Sequence, residues 1–542
     1  MNNLKEFISS KVPTAEFLED ELLTAIIPLA EFYNLANELR NNPSTSFDYL
    51  VSLTGCDWVE SLGVVYHLYS TEKKHRLVLR TSTTNRENPE LYSVTDLWET
   101  ANLNEREVYG FLGIRFINHP DMRRLFLRPD WIGYPLRKDY DANPELNPLR
   151  LTNEELWDTT PTTNENADGS TTDSENTIFG ASEYVVNIGP QHPATHGVLH
   201  FRVALEGENV KKVDVNCGYI HRGIEKMCET LTYPQTLAMT DRLDYLSAHQ
   251  NRHALCMTIE KAMGLEVSER VKTIRTIMDE LSRIQSHLLF YSTICMDLGG
   301  LTAFFYGFRD REMILDILEE TGGGRLIQNY NMIGGLRADI HPNFVKRVKD
   351  FITYMRPILQ EYHDLFTGNI IATQRMKGVG ILTKEEAISY AVTGPSGRAS
   401  GWECDVRKTN PYGVYDKVNF DEVILHKGDV FDRYMVRMIE IEQSMNIIEQ
   451  LIDSIPEGNF AEKTKPIIRL PEGNFFQEVE TARGAFGVYI ESKGDKFPYR
   501  LKFRSPNLPL VSVVDLLACK HKIADLIAIG GSLDYVVPDI DR

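Results

Sequence analysis

A pair of histidines in a short loop could carry protons or bind a metal. His196 follows His192 by four positions, between Gly189 and Gly197. On a helix this spacing would aim both imidazoles at one metal ion. The glycines and prolines around them predict a hairpin loop instead, where the rings no longer align. Two interpretations remain, namely hydrogen-bonded turn histidines and an imidazole presented to a cleft.

A buried carboxylate is the second candidate for proton chemistry. Asp297 lies in the most apolar run of the sequence, Leu288 to Phe308. An acid there needs a partner or is neutralised, and a histidine partner would let the pair relay a proton. The run is about long enough to span a bilayer. Asp297, the pair Gly299-Gly300 and the charged residues that follow predict instead a core helix that breaks near Asp297.

Asp241, Asp244 and Tyr245 open a stretch that we predict to be helical to about Met263. Acids in a first helical turn are expected from the helix dipole alone, so these two need no functional explanation. Tyr245 by itself is typical of a core aromatic residue whose hydroxyl is satisfied.

Arg222 follows a predicted strand, at the start of a predicted helix. Its simplest role is a surface ion pair with Glu225 or Glu229.

Composition and the remaining motifs narrow the function. The 542 residues include 77 acidic and 58 basic side chains, a net charge of −19 that makes nucleic-acid binding unlikely. The seven cysteines form no C-x-x-C pair, and no glycine-rich motif has the order that a nucleotide site needs. We therefore expect no metal, iron–sulfur cluster or nucleotide held by this chain. Dispersed cysteines without a secretory leader place it on the cytosolic side.

An acidic segment divides the chain. Residues 152–177 contain seven acids and no lysine or arginine among Thr, Asn and Ser. Such a segment buries too little apolar surface to offset its ordering entropy, so we predict a solvated linker over 146–180. It separates a domain at 1–145 from one at 181–542.

The elements around the linker predict an α+β chain. In 1–145 a helix over Glu16 to Leu39 and strands near Phe47–Leu53, Val64–Tyr69 and Arg76–Arg80 form a small α+β domain. Its final third, from Asn104 to Tyr140, contains three prolines and is expected to be a looped docking surface rich in Arg and Asp.

The second domain is predicted to begin with a three-stranded antiparallel sheet and then to become mainly helical. The strands are Tyr184–Ile188, Val198–Leu205 and Val210–Asn216. Apolar residues then recur every three to four positions over Val271–Leu288 and Met435–Leu451, which predicts two long amphipathic helices.

With these residues in place, the chain resembles the fused C/D subunits of respiratory complex I, the proton-pumping quinone oxidoreductase. The first domain is similar to the 30 kDa subunit and the second to the 49 kDa subunit. The motifs that carry the resemblance occur in the family's order, and they are Glu105-Arg-Glu107, His119-Pro-x-x-Arg-Arg124, Pro135-Leu-Arg-Lys-Asp139, Gly189-Pro-Gln-His-Pro-Ala-Thr-His-Gly197, His221-Arg-Gly-x-Glu-Lys226, Asp241-Arg-x-Asp-Tyr245, Asp405-x-Arg-Lys408, Gly428-Asp-Val-Phe-Asp-Arg433 and Ser532-Leu-Asp534.

The resemblance implies a quinone site. His196 and Tyr245 would hold the quinone headgroup, and Asp297 would bond His196 and raise its pKa. The other positions that the family implies are a quinone-binding set, His192, Thr195, Asp244, Asp534 and Val536, and a pair near a partner's cluster, Arg222 and Arg242. Quinone is then the substrate, and no flavin or iron–sulfur cluster belongs to this chain.

The resemblance also implies an assembly. An adjacent 4Fe-4S cluster would be held by a cluster-bearing partner, the B subunit. The other implied partners are the ferredoxin-like I subunit, the membrane-embedded H and A subunits, and in some complexes the G subunit. The chain would lie peripherally on the cytoplasmic face of the bacterial inner membrane. Ile327 stands where many relatives have a histidine near that cluster, so this position is not expected to couple cluster reduction to protonation.

Two alternatives belong to other classes of protein. The chain could be a scaffold that only joins the peripheral arm to the membrane arm. The family also descends from the large subunit of nickel–iron hydrogenases, whose fold the second domain is expected to share. That enzyme carries two cysteine pairs around its metal, but the corresponding regions here begin at Asp241 and Asp534 and contain no cysteine. Hydrogenase activity is therefore the least favoured hypothesis.

Overall fold

The computed structural model describes residues 2–18, 20–141 and 158–542. The chain divides into two compact units. The first contains Met1–Val186, Asn216–His221 and Ile388–Ala391, and the second contains Asn187–Val215, Arg222–Ala387 and Val392–Arg542. One unit is built around a sheet and the other is mainly helical, so the predicted α+β class is confirmed.

The elements up to the end of the first sheet-rich region are α1 (Asn2–Lys11), β1 (Glu16–Leu18), β2 (Thr24–Ile26), α2 (Leu29–Asn41), β3 (Tyr49–Asp57), β4 (Leu62–Tyr69), β5 (Arg76–Thr83), β6 (Glu90–Tyr92), α3 (Ala101–Leu112), β7 (Arg115–Ile117), β8 (Thr159–Glu165) and β9 (Thr171–Thr177). The following strands and helices are β10 (Tyr184–Ile188), β11 (Gln191–His192), β12 (Gly197–Val198), β13 (His200–Glu206), β14 (Asn209–Asn216), α4 (Ile224–Cys228), α5 (Tyr233–Thr240), α6 (Ala248–Ala262), α7 (Glu269–Asp297) and α8 (Leu301–Gly322). The remainder are β15 (Asn331–Met332), β16 (Gly335–Leu336), α9 (Phe344–Tyr362), α10 (Ile370–Met376), α11 (Lys384–Ser389), α12 (Gly394–Ala399), α13 (Val406–Thr409), α14 (Val430–Ile452), β17 (Gly473–Thr481), β18 (Gly484–Ser492), β19 (Arg500–Arg504), α15 (Asn507–Ser512), α16 (Val514–Ala518), α17 (Ile523–Leu533) and α18 (Val537–Ile540).

The first unit is organised by a five-stranded sheet of order β1-β2-β5-β4-β3. The three predicted strands form β3, β4 and β5, but the predicted helix over Glu16–Leu39 is wrong in its first half. Residues Thr24–Ile26 pair in parallel with Val78–Arg80. Pro28 disfavours a helical conformation at the preceding residue, so the helix begins only at Leu29.

Part of the predicted linker is a β-hairpin. Strands β8 and β9 pair from Thr159↔Thr177 to Glu165↔Thr171. The sequence predicts no conformation for these residues; threonine favours extended backbone and Asp168-Gly169 suits a tight turn, which accounts for the hairpin. The backbone of Asn118 donates to the carbonyl of Thr163, which ties the hairpin to its own unit. Residues 146–157 lie outside the described residues.

The predicted docking segment is more buried than the sequence suggested. Glu105, Arg106 and Glu107 lie on α3 and are buried, so the expectation that these charges form an exposed loop is wrong. Arg106 lies 3.4 Å from Asp121, inside the unit. The described residues 118–141 that follow contain no helix or strand, in line with their prolines.

The second unit contains the predicted long helices. The periodic stretches form α7 and α14, which pack against each other. The predicted break falls where expected, because α7 ends at Asp297 and α8 begins at Leu301. Strands β10, β13 and β14 form the predicted three-stranded sheet.

Candidate functional site

A small hairpin presents His196. Strands β11 and β12 place His192 opposite Gly197, and a 3-10 turn over Pro193–Thr195 joins them. The buried Thr195 hydroxyl lies 2.8 Å from the carbonyl oxygens of both His192 and Gly197, which fixes the turn. His196 itself has a left-handed backbone, φ 51°. The predicted loop is therefore present, and the two imidazoles are not aligned as they would be on a helix.

His196 is paired with Asp297. Its Nε2 lies 2.8 Å from Oδ2 of Asp297, the last residue of α7. Because a carboxylate accepts, Nε2 carries the hydrogen, and Nδ1 is left to face another group. Gly531 on α17 makes room for this pair, since a Cβ there would lie 2.6 Å from Oδ2 of Asp297. Burial lowers the pKa of His196, but the hydrogen bond and charge of Asp297 more than offset it, so the pKa is raised.

Tyr245 lies in a turn, not in a helix. Helix α5 ends at Thr240 and α6 begins at Ala248, so the predicted helical stretch from Asp241 is wrong at its start. The Asp244 carboxylate accepts hydrogen bonds from the backbone of Leu246 and Ser247, a local bond that competes with helix formation. The turn leaves the Tyr245 side chain partly exposed.

Arg483 connects the turn that carries Tyr245 with Asp534 at the end of α17. Its guanidinium donates to Oδ2 of Asp244 at 3.0 Å and to Oδ1 of Asp534 at 3.1 Å. The charges of Arg483 and Asp534 act on both His196 and Tyr245, so the same ion pair influences the protonation of both groups. Burial, Asp244 and Asp534 raise the pKa of Tyr245, which keeps its hydroxyl protonated at neutral pH.

The sequence did not reveal Arg483. It lies in the turn between β17 and β18, where an arginine is ordinarily solvated, yet here it is fully buried. Arg437 on α14 is a second buried arginine that the sequence did not reveal, and its Nε lies 3.7 Å from Oδ2 of Asp534. The one available signal was the excess of acids in the motifs beginning at Asp241 and Ser532, which a buried cation has to balance.

The remaining predicted site residues make fewer contacts with the groups around Arg483. Val536 is buried, and its backbone donates to Asn507 Oδ1 at 3.0 Å. His192 lies on the same hairpin as His196 but is exposed. Arg222 and Arg242 are also exposed.

The surface ion pair considered for Arg222 does not form among the described residues. Glu225 is bound instead by Arg500 at 2.7 Å, and Glu229 by Lys226 at 3.5 Å.

Asp297→Asn is expected to shift the pH dependence of any proton transfer by His196 towards acid. The neutral amide removes the charge that raises the pKa of His196, so the imidazolium form is lost at a lower pH. The pH profile of turnover by the purified protein in its native assembly checks this. An unshifted alkaline limb in Asp297→Asn would contradict the role given to this pair.

The fold and the site describe a two-unit chain with groups suited to proton chemistry. In the sequence a small α+β unit precedes a mainly helical unit. The carboxylates, the imidazole and the phenol of the helical unit can hold and move protons. Residues 26–145 match the family model described as respiratory-chain NADH dehydrogenase, 30 Kd subunit. Residues 297–471 and 462–542 match the model described as respiratory-chain NADH dehydrogenase, 49 Kd subunit.

The similarity to curated proteins extends over nearly the whole chain. It is 68% identical to the C/D subunit of NADH-quinone oxidoreductase from Phocaeicola vulgatus, over 95% of this chain and 99% of the relative. Identity to the corresponding C/D subunit of Bacteroides thetaiotaomicron is 64%, with the same coverage. The D subunit of the Bacillus anthracis enzyme is 44% identical over 67% of this chain and 100% of its own length. The chain therefore belongs to the family of fused NADH-quinone oxidoreductase C/D subunits, which confirms the resemblance.

Two features are absent from the part of the chain that the structure describes. No helix there is long and apolar enough to cross a membrane. No group of three or more His, Cys, Asp or Glu side chains among the described residues could hold a metal ion.

Proposed function

We propose that this chain forms the site at which complex I reduces quinone, with His196 and Tyr245 holding the headgroup. Family membership makes the chain a subunit of NADH-quinone oxidoreductase, an enzyme that works as a complex. The finer assignment has one principal support: Arg483 binds both Asp534 and Asp244, the neighbour of Tyr245 in the chain, and the charges of Arg483 and Asp534 act on both Tyr245 and His196.

The chemistry of these groups suits a quinone. Reduction to quinol takes two electrons and two protons at carbonyl oxygens. A phenol hydroxyl and an imidazolium N–H can each donate to such an oxygen and stabilise the charge that develops on it. Asp297 orients His196 through Nε2 and favours its protonated form, so Nδ1–H is the free donor. Thr195, Asp244, Asp534, Val536 and His192 complete the proposed cavity.

The proposal extends to partners and location. The exposed side chains of Arg222 and Arg242 would lie beside a 4Fe-4S cluster held by the cluster-bearing B subunit, the source of the electrons. The ferredoxin-like I subunit, the membrane-embedded H and A subunits, and in some complexes the G subunit would be the other neighbours. We place residues 1–145 and 181–542 as the two functional domains, on either side of 146–180, at the cytoplasmic face of the bacterial inner membrane.

His196→Ala separates this function from that of a scaffold. The variant keeps the backbone pairing of the hairpin, so the complex should assemble, with the chain destabilised by the loss of the hydrogen bond to the carboxylate of Asp297. Quinone reduction should fall about a hundredfold, the usual worth of a positioned proton donor. Native gels beside turnover measurements check both points. Normal turnover, or loss of assembly with normal turnover per assembled complex, would favour the scaffold.

A further inference from the structure

A second cluster of proton-binding side chains lies in the second unit, apart from His196. The carboxylate of Asp279, on α7, lies between two imidazoles of α6. Its Oδ1 is 2.9 Å from Nδ1 of His249, and its Oδ2 is 2.7 Å from Nδ1 of His253. All three side chains are buried. We call these three residues the buried triad.

The hydrogen bonds of the buried triad fix where a proton can sit. An ionised carboxylate only accepts, so each Nδ1 already carries hydrogen and any further proton goes to an Nε2 atom. Burial opposes ionisation of Asp279, but the two imidazoles hold its pKa well below the usual range. A buried anion needs a compensating charge, and the ion pairs of Asp279 with described residues are those to His249 and His253. Burial is the main cause that lowers the pKa of His249, so we assign the compensating proton to His253, whose Nδ1 lies 2.7 Å from Asp279.

Arg275 also acts on the buried triad, because its positive charge lowers the pKa of His249 and attracts the carboxylate of Asp279. Arg275 is bound to Glu260 at 2.7 Å, and Arg252 to Asp241 at 3.0 Å. Other ionisable side chains on the elements packed around the buried triad include Cys256 on α6, Glu280 and Arg283 on α7, Tyr233 on α5, Glu478 and Glu480 on β17, Tyr489 and Glu491 on β18, and Tyr330, Tyr412 and Tyr415 in neighbouring segments.

Polar side chains at the start of α6 bond both the buried triad and the turn that carries Tyr245. Gln250 donates to the Asp279 carbonyl at 3.1 Å, and Asn251 donates to the Asp244 carbonyl at 3.3 Å. The buried atoms along this stretch that have no hydrogen-bond partner among the described residues are Ser247 Oγ, His249 Nε2, Gln250 Oε1 and Asn251 Oδ1. Buried polar atoms are normally satisfied by protein or by ordered water. Their concentration here favours a hydrated path.

We propose that the buried triad stores one proton and delivers it to Tyr245 in the quinone site, an inference that rests on the proposed function. An N–H bond at Nε2 breaks, and the proton passes through water to re-form the O–H bond of the Tyr245 phenolate left when quinone takes the phenol's proton. The two electrons reach the quinone from NADH through the complex. The imidazole regains its proton from solvent.

His253→Gln in the complete complex tests this inference. We expect kcat for quinone reduction to fall about tenfold at pH 8 and to recover towards the unmodified level at pH 6, where solvent protons are about a hundred times more abundant. The KM for quinone should stay unchanged. His287→Gln is the matched control, because it removes another buried imidazole bonded to a carboxylate, Glu440, at 2.9 Å. In the control, the slope of kcat against pH should be the same as in the unmodified complex.

The results for His253→Gln and His287→Gln either support or overturn proton storage by the buried triad. An assembled His253→Gln complex with the unmodified pH profile, or the same altered slope in His287→Gln, overturns the inference. If His253→Gln does not assemble, hydrogen–deuterium exchange at C2 of His249 and His253 in the unmodified complex decides. One ring protonated at neutral pH supports the buried triad, and two neutral rings overturn it. Near-normal turnover of Tyr245→Phe would overturn the quinone site itself, whatever His253→Gln shows.

Discussion

Tyr245→Phe is expected to slow quinone reduction about a hundredfold without impairing assembly. Phenylalanine keeps the ring and removes only the hydroxyl. Burial and the nearby carboxylates of Asp244 and Asp534 raise the pKa of Tyr245, so at neutral pH its hydroxyl is a proton donor. Without that donor, the carbonyl oxygen that gains charge during reduction loses its stabilising partner. Quinone turnover by the purified complex measures the effect.

The control for Tyr245→Phe is Tyr184→Phe, which removes a hydroxyl from an exposed tyrosine on β10. Reduction of a hydrophilic electron acceptor by NADH should be unchanged in both variants, since it does not require the quinone site. Near-normal quinone turnover in Tyr245→Phe would remove the phenol from the mechanism. An equal loss in Tyr184→Phe would show that the effect is not specific to the site.

Arg483→Met should produce the largest loss of stability. The substitution leaves the buried carboxylates of Asp244 and Asp534 without the guanidinium that binds both. Removing one partner of a buried ion pair typically costs about 3–5 kcal/mol, because the remaining charge is uncompensated. We expect a lower unfolding temperature of the chain within the complex, less assembled complex on native gels, and little quinone reduction by what assembles.

A second substitution distinguishes charge from packing. In Arg483→Met with Asp534→Asn, one uncompensated charge is gone, so part of the lost stability should return. Arg483→Lys keeps the charge but cannot reproduce the forked contacts to Asp244, Ser286 and Asp534. The stability of Arg483→Lys should therefore lie between that of the native chain and that of Arg483→Met. Equal stability of the single and double variants would contradict the electrostatic explanation.

Where the sequence predicted structure well, the local pattern and the final packing agree. Asp297 is an example, because an acid in an apolar run before Gly299-Gly300 indicates both a helix end and a need for a partner. The helix ends there and the partner is His196. The loop around His196 was also predictable, since its glycines and prolines restrict the backbone locally.

Several features that the sequence did not reveal depend on contacts between distant residues. Thr24–Ile26 is a strand because it pairs with β5, about fifty positions later. Arg483 is buried because Asp244 and Asp534, from two other segments, meet it there. The hairpin at 159–177 is held by contacts such as that between Asn118 and Thr163. None of these partners can be identified from local periodicity, which is why the sequence did not reveal these features.

The most direct test of the quinone site is a structure of the purified complex with a quinone bound. We expect the two headgroup oxygens to lie within hydrogen-bond distance, about 3 Å, of Tyr245 Oη and His196 Nδ1, while Nε2 of His196 stays bonded to Asp297. A headgroup bound at full occupancy without contact to either residue, in a complex competent for turnover, would contradict it.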